Sequence, residues 1–359
     1  MADPKERLEG IVEALAAADA AVADALTARA RAMVELRELR SEDPEGWHPI
    51  PSDDETLAAV LPRTDVFPRN ATEAVFREVL SGSAALIAPP RIAYLGPEGG
   101  FAHVAAHRRF GSAAHLEPVA TVEEVLEEVV RGRASRGVVP LESSIEGAHT
   151  ATLVALAQSE AQVRGELAVT LTYHLLTRAT ALEDIRNLYA TGQGLATCER
   201  FVRSQLPQAS LHECASAVQA AQHAEDRADA AAIVSDVVAG RSKAPVLRQR
   251  IEDRAGIRIR YALVGGEPPS RTGADRTLLA VALNDNPGAL LAALQPFADR
   301  GLNVTRVESR PVLGAPWRSL FFFEVDGHVT DRAVVAATEE VRSASRFARA
   351  MGSYPRTED

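Results

Sequence analysis

Residues 5–40 carry one unbroken helical pattern, and it constrains the fold more than any other stretch. Leu8, Val12, Leu15, Asp19, Val22, Leu26, Arg29, Met33, Leu36 and Arg40 follow a four-three spacing that lays them along one stripe of a helix. At 1.5 Å per residue such a helix runs roughly 50 Å, too long to pack alone. Two shorter helical patterns follow, at 53–61 and 71–87, with "SEDPEGWHPIP" as a loop before them and "APPR" closing the segment. Arg29 and Arg40 lie in the stripe itself, close to three turns apart, and so point the same way. Buried cations need partners. Either the bundle holds a small dianion, or these long side chains reach past the stripe to surface acids.

After residue 91 the pattern changes. "RIAYLG", "RGVVPLESS", "LAVTLTYHLLT", "RNLYATGQG", "ADAAAIVS" and "IRIRYALVG" read as strands alternating with helices, which argues an α/β domain with sites at strand ends. "GGEPPSRTGADR" (265–276) is a linker by its Gly, Pro and Ser content. Beyond it, "TLLAVAL", "PGALLAALQPFADRG", "LNVTRVESRP", "WRSLFFFEVDG", "DRAVVAATEEVRSA" and "FARAMGSYP" read β-α-β-β-α-β, a ferredoxin-like unit. The chain is therefore multidomain: an all-α segment at 1–90, an α/β domain at 91–265, and a linker with a ferredoxin-like (βαββαβ) domain at 266–359.

Bulk properties exclude several classes. The net charge of −10, without a basic run, argues against nucleic acid as a partner. Two cysteines, Cys198 and Cys214, make neither a disulfide framework nor a metal cluster and read as small apolar residues of a reducing compartment. The amino-terminal stretch lacks an apolar signal core and no apolar run is long enough to span a bilayer, so the expectation is a cytoplasmic protein without membrane contact.

Four places could carry chemistry. Glu98, Gly99 and Gly100 open a helix after a strand, where backbone amides suit a carboxylate or simply make a tight turn. "VPLESSIEGAHT" sets Glu142, Ser143, Ser144 and Glu146 after a buried strand, as a site loop or as a capped helix start. "NDNPGALLAAL" puts Pro287 and Gly288 at a helix start, where glycine admits a ligand and the helix end favours a carboxylate, or where it only caps. "RAGIRIRYALVG" (254–265) runs from a turn into a strand that sets Ile257 and Ile259 at its start, with Arg258 and Arg260 alternating between them.

Together these segments resemble the bacterial P-protein family, which fuses chorismate mutase, prephenate dehydratase and a phenylalanine-sensing ACT domain in this order. The carrying residues are "YLGPEGGFAH" (94–103), "GVVPLESSIEG" (137–147), "IED" (251–253), "NPGAL" (286–290), "ESRP" (308–311), Trp317 and "GSYP" (352–355). The resemblance implies a helical mutase-like domain, a two-lobed α/β dehydratase-like domain with its site in the cleft, and ACT domains pairing across a homo-oligomer, a dimer or tetramer. It implies prephenate or a related small dicarboxylate as substrate and L-phenylalanine as effector, with no metal or other cofactor. By resemblance the mutase-like pocket is Arg29, Arg40 and Ser83. The substrate-holding set is Glu142, Ser143, Ser144, Gln193 and Arg260, with Arg260 pairing with a carboxylate. The effector set is Gly288, Ala289, Leu290, Glu308, Ser309, Arg310 and Pro311.

The match is uneven. Val12, Asp53 and Ile87 stand where the family's mutases have two arginines and a glutamine. Losing one preorganised donor of this kind costs about two to three orders of magnitude in rate, so mutase activity is expected to be lost and the helices to serve dimerisation. In the dehydratase segment, Ile259, Arg260 and Tyr261 replace a Thr-Arg-Phe motif, and Ile257 an asparagine. Isoleucine can neither donate a proton nor hydrogen-bond. Gly100, Ala102, Ser143, Ala190, Thr191, Gly192, Cys214 and Ala215 are further departures, while His149 is a new histidine, either an acid or a surface residue. The ACT segment is nearly intact: "NPGAL", "TRVESRP" and Trp317 match the pattern of the phenylalanine-binding members. Three functions fit: a nominal carbon-oxygen lyase of phenylalanine biosynthesis, a non-catalytic phenylalanine sensor, or a re-purposed lyase or isomerase on a prephenate-like compound.

Overall fold

The computed structural model describes residues 3–43, 52–63, 66–145, 147–312 and 315–357, with side chains left aside at 312 and 315–318. Residues 44–51 of the "SEDPEGWHPIP" stretch, Glu146 and the Trp317 side chain thus lie outside the described residues, while Ser41 and Glu42 end the first helix. The chain divides into two compact units: Met1–Pro90 with His107–His115, and Arg91–Ala106 with Leu116–Asp359.

The first unit holds α1 (Pro4–Glu42), α2 (Asp53–Val60) and α3 (Arg69–Ile87). Asp3 caps α1 by accepting from the Lys5 amide, Pro4 sits in its first turn, and Arg40 lies in the last turn where the helix dipole favours a cation. Ser52 and Glu55 form a capping box at α2. α1 packs on α3, yet none of its 39 residues is buried. Leu8, Val12, Leu15, Val22 and Leu26 of the apolar stripe all stay exposed.

After the first unit's three helices the chain forms β1 (Arg91–Leu95), α4 (Phe101–Phe110, whose last four residues count with the first unit), β2 (His115–Val119), α5 (Val122–Val130), β3 (Arg136–Ser143), β4 (Gly147–Ala148), α6 (Thr150–Gln158) and β5 (Val163–Thr170). A second lobe follows: β6 (Tyr173–Thr177), β7 (Asn187–Ala190), α7 (Gly192–Thr197), α8 (Glu199–Gln205), β8 (Ser210–Glu213), α9 (Ala217–Asp226), β9 (Ala230–Ser235), α10 (Asp236–Arg241) and β10 (Val246–Gln249). β11 (Arg258–Val264) returns to the first lobe. The stretch "LAVTLTYHLLT", expected as one strand, is two strands in different sheets. At the break the Leu171 amide donates to the Ile257 carbonyl and the Tyr173 amide to the Glu252 carboxylate. An apolar run has the same period on both sides of such a crossing, so the pattern could not reveal it. β2, β8 and β10, absent from the sequence reading, are short edge strands, where burial imposes little alternation.

The last segment holds β12 (Asp275–Ala282), α11 (Ala289–Ala298), β13 (Val304–Val312), β14 (Ala315–Asp326), α12 (Arg332–Ala344) and β15 (Phe347–Pro355). Its strand order, β13-β14-β12-β15, is antiparallel and ferredoxin-like. β15 also pairs with β5, so the sheet runs on through β5-β11-β3-β1-β2. Gly352 makes this junction possible: a Cβ there would lie 2.2 Å from the Val163 carbonyl oxygen. One core crosses it, joining Leu141, Leu156, Ala262, Leu278, Phe322 and Tyr354. No helix among the described residues is long and apolar enough to cross a membrane.

Candidate active site and effector site

Strands present alternate side chains to opposite faces, and this sorts the expected site residues into two groups. On β11 and β3, Ile259 pairs directly with Ser143, and Arg260 with Glu142. A bulge at Leu141 lets Leu141 and Glu142 face the same side. Ser143 and Ile259 therefore share one face, with Val169 of β5 opposite Ile259. Glu142 and Arg260 share the other, which faces the ferredoxin-like segment.

That second face is a charge cluster. Arg260 contacts Glu142 at 2.9 Å, Glu166 at 2.9 Å and Glu324 at 2.5 Å. Arg276 reaches Glu166 at 3.2 Å, and Arg306 pairs with Glu142. The cluster borders a cavity of about 310 Å³ that Ser144, Arg258, Thr305 and Thr357 also line. Burial opposes the charge on Arg260, but Glu324 and Glu166 outweigh it and hold its pKa above the usual range. Burial, followed by Glu324 and Glu166, likewise raises the Tyr354 hydroxyl well above its ordinary value.

This placement divides the expected substrate-holding set. Three carboxylates of the protein, Glu142, Glu166 and Glu324, occupy the Arg260 guanidinium, on the face opposite Ser143. Ser144 closes the strand end: its amide donates to the Arg258 carbonyl at 2.9 Å and its hydroxyl accepts from the Arg258 amide at 3.0 Å. The Ser143 hydroxyl accepts from the Ile145 amide at 3.3 Å. Gln193 is exposed near the start of α7, in the other lobe. His149 is exposed at the start of α6, with Nδ1 3.3 Å from the Thr152 hydroxyl.

The glycine turn after β1 proves to be internally satisfied. The Gly99 amide donates to Nδ1 of buried His103 at 3.0 Å, and the Gly100 amide to the Pro97 carbonyl at 3.1 Å. The Gly99 carbonyl accepts from the Ser235 hydroxyl of the second lobe at 3.0 Å. Gly99 has φ +82°, and a Cβ would lie 2.7 Å from Val238. These glycines serve a close approach of the two lobes, and their amides are not open to a carboxylate.

In the helical unit, Nε of Arg29 donates to the Ser83 hydroxyl at 3.0 Å, so two of the three mutase-like residues meet. Arg40 is half-buried in the last turn of α1. Asp53 lies 3.8 Å and Asp54 3.0 Å from Arg109, which gives the reversed charge at position 53 a cation within its own unit.

The expected effector residues also divide. Gly288, Ala289 and Leu290 line a cavity of about 320 Å³ with Asn284, Ser319 and Phe321. Ser309 and Pro311 pair across the strands with Phe321 and Ser319 and lie on that side. Glu308 and Arg310, 3.4 Å apart, face the other way, toward the core shared with β3 and β11. Gly288 adopts φ +83°, which glycine permits at the helix start.

Sequence reasoning missed Glu166, Arg276, Arg306 and Glu324. The available signal was a charge inside otherwise apolar strands, as in "FFFEVD", because a buried charge demands a partner. Which partner it finds depends on the sheet junction.

Comparison with known proteins agrees with this architecture. Residues 92–269 match the prephenate dehydratase family model and residues 276–343 the ACT domain model. A bifunctional chorismate mutase/prephenate dehydratase of Aquifex aeolicus is 33% identical, covering 81% of this chain and 80% of its own length. A prephenate dehydratase of Mycobacterium tuberculosis is 35% identical over 74% of this chain and 87% of its own. Among solved structures, prephenate dehydratase from Arthrobacter aurescens in complex with L-Phe superposes with a TM-score of 0.66 at 37% identity, covering 74% of this chain and 90% of that one. With its sheet topology, its matching domains and these relatives in agreement, the chain belongs to the P-protein family of bifunctional chorismate mutase/prephenate dehydratases.

Proposed function

We propose that this chain is a monofunctional, phenylalanine-responsive prephenate dehydratase whose chorismate mutase segment has become a dimerisation scaffold. The observation that carries the dehydratase half is the position of Ser143. It stands directly across from Ile259, so the lost threonine has a hydroxyl neighbour on the next strand, with Cβ atoms about 5 Å apart in such a pair. In the reaction, the carboxylate on the ring leaves as CO2. Its bonding pair enters the ring, and the ring hydroxyl departs with one proton as water. A positioned hydroxyl helps by donating to that leaving oxygen. Ser143 is the residue assigned to this role, and Gln193 a substrate contact from the second lobe. Glu142, Ser144 and Arg260 act from behind, as the frame of the strand end.

The effector half rests on Gly288–Leu290 and the flanking Ser309 and Pro311 around one cavity, within the segment that matches the ACT domain model, and is supported by a relative solved in complex with L-Phe. β13 is an edge strand with Val307 exposed, and Leu291 is exposed at the same cavity. A second copy pairing there, and along the bare stripe of α1, would cover both. The mutase is expected to be silent because Val12, Asp53 and Ile87 supply no donor to a substrate ether oxygen.

The deciding experiment mixes full-length protein with prephenate, with and without L-phenylalanine, and follows phenylpyruvate by mass spectrometry against a protein-free control. Turnover that falls at least tenfold in Ser143→Ala supports the assignment. No turnover, together with retained phenylalanine binding by calorimetry, replaces it with the sensor reading, which the two isoleucines and the occupied Arg260 favour. Turnover unaffected by Ser143→Ala moves the acid elsewhere, with His149 next to be replaced.

A further inference from the structure

We propose that Arg306, a residue of the ACT segment, is a positioning residue for the dehydratase cleft. Its guanidinium pairs with Glu142, which Arg260 holds from the other side at 2.9 Å. Glu142 immediately precedes Ser143, and β3 ends there. At Glu142 and Ser143 it pairs with two-residue β4 on one side and with Arg260 and Ile259 of β11 on the other. The backbone at Ser143 is thus laddered on both sides, and the grip on the Glu142 side chain adds the anchor that ties this strand end to the ACT segment. Of the two cations on Glu142, Arg260 belongs to the dehydratase strand itself, and Arg306 arrives from a different domain.

The same alternation operates on the ACT side. Arg306, Glu308 and Arg310 face the dehydratase sheet, while Ser309 and Pro311 face the cavity of Gly288–Leu290. The charge cluster therefore stands back to back with both candidate sites. A shift of β13 at the cavity displaces Arg306 on the reverse face, and a shift of Glu142 displaces Ser143 on the reverse face of β3. Glu142, Glu166 and Glu324 balance Arg260, Arg276 and Arg306, so loss of one guanidinium leaves a partly buried carboxylate underpaired. The coupling between cavity and cleft rests on the effector and dehydratase readings above, whereas the grip on β3 does not.

Amide hydrogen exchange on the full-length protein tests both. In the absence of ligand, Arg306→Gln is expected to speed exchange of the Ser144 and Ile145 amides about tenfold, leaving β9 in the other lobe at the wild-type rate. Arg306→Lys should restore part of the protection, and Glu142→Gln with Arg306→Gln should add little to Glu142→Gln alone. Unchanged exchange at 141–149 in Arg306→Gln overturns the proposal, and so does an equal rise in β9, which signals general loosening. With L-phenylalanine, the wild type should change its exchange at 141–149, and Arg306→Gln should bind the amino acid within threefold yet lose that change. If the wild type binds no phenylalanine, the effector reading fails, and the ligand-free comparison still decides the role of Arg306.

Discussion

The two faces of β3 and β11 differ sharply, although they are made by neighbouring residues. The rear face carries Glu142 and Arg260, tied to Glu166 and Glu324, carboxylates with 1% and 4% of their side chains exposed. The front face carries Ile257, Ile259 and Ser143, with one hydroxyl among them. Charge gathers where the strands meet the ACT segment, and the face of Ile259 and Ser143 is largely apolar. Buried ion pairs cost little to keep once built but much to break singly, so the rear face resists substitution. A cleft side chain that touches only substrate has no such constraint.

This contrast can be broken most forcefully from the rear. Arg260→Ala leaves Glu166 and Glu324 with only Arg276, and should cost about 3 kcal/mol in a urea denaturation curve. A loss below about 0.5 kcal/mol would mean the cluster is no more than a surface pair. Gly352→Ala attacks the junction beneath it, because the new Cβ would collide with Val163. We expect about 2 kcal/mol of destabilisation, with hydrogen exchange rising first in β15 and β5.

On the front face the expected effect lies in rate. Ile259→Thr should raise phenylpyruvate production about a hundredfold, with a stability change under about 1.5 kcal/mol. An unchanged rate would show that more than one lost group limits the cleft. In the helical unit, Leu15→Asp should leave intrachain packing intact, since Leu15 is exposed, but weaken self-association in sedimentation. Retention of the wild-type oligomer would remove α1 from the interface.

The smallest effect concerns the cysteines. Burial, followed by the nearby Asp253 and Glu252, pushes the Cys198 thiol up to about 12, while Cys214 is raised by burial alone. A raised thiol pKa means less thiolate at any given pH, so at pH 8 Cys214 should be alkylated well before Cys198. Equal labelling would show that the second lobe opens readily around α7 and α8.

Much of this was legible in the chain. The long helix declared itself through its stripe, the ferredoxin-like segment through its order of periods, and Gly288 through its place before a helix. Ser143 and Arg260 could be named from the motifs around them. Their directions could not, because the Leu141 bulge and the pairing of β11 between β3 and β5 set which face each one joins.

The sequence by itself determined the order of the segments, the absence of a hydroxyl at 257 and 259, and the apolar periods of the helices and strands. These are local properties, written in residue type and spacing. Only the tertiary structure decided that Arg260 is held by Glu142, Glu166 and Glu324, that the glycine turn closes on itself, and that Arg306 of one domain grips a strand of another. Those outcomes depend on which strands meet at Gly352 and Val163, and contacts between residues nearly two hundred positions apart leave no period in the sequence.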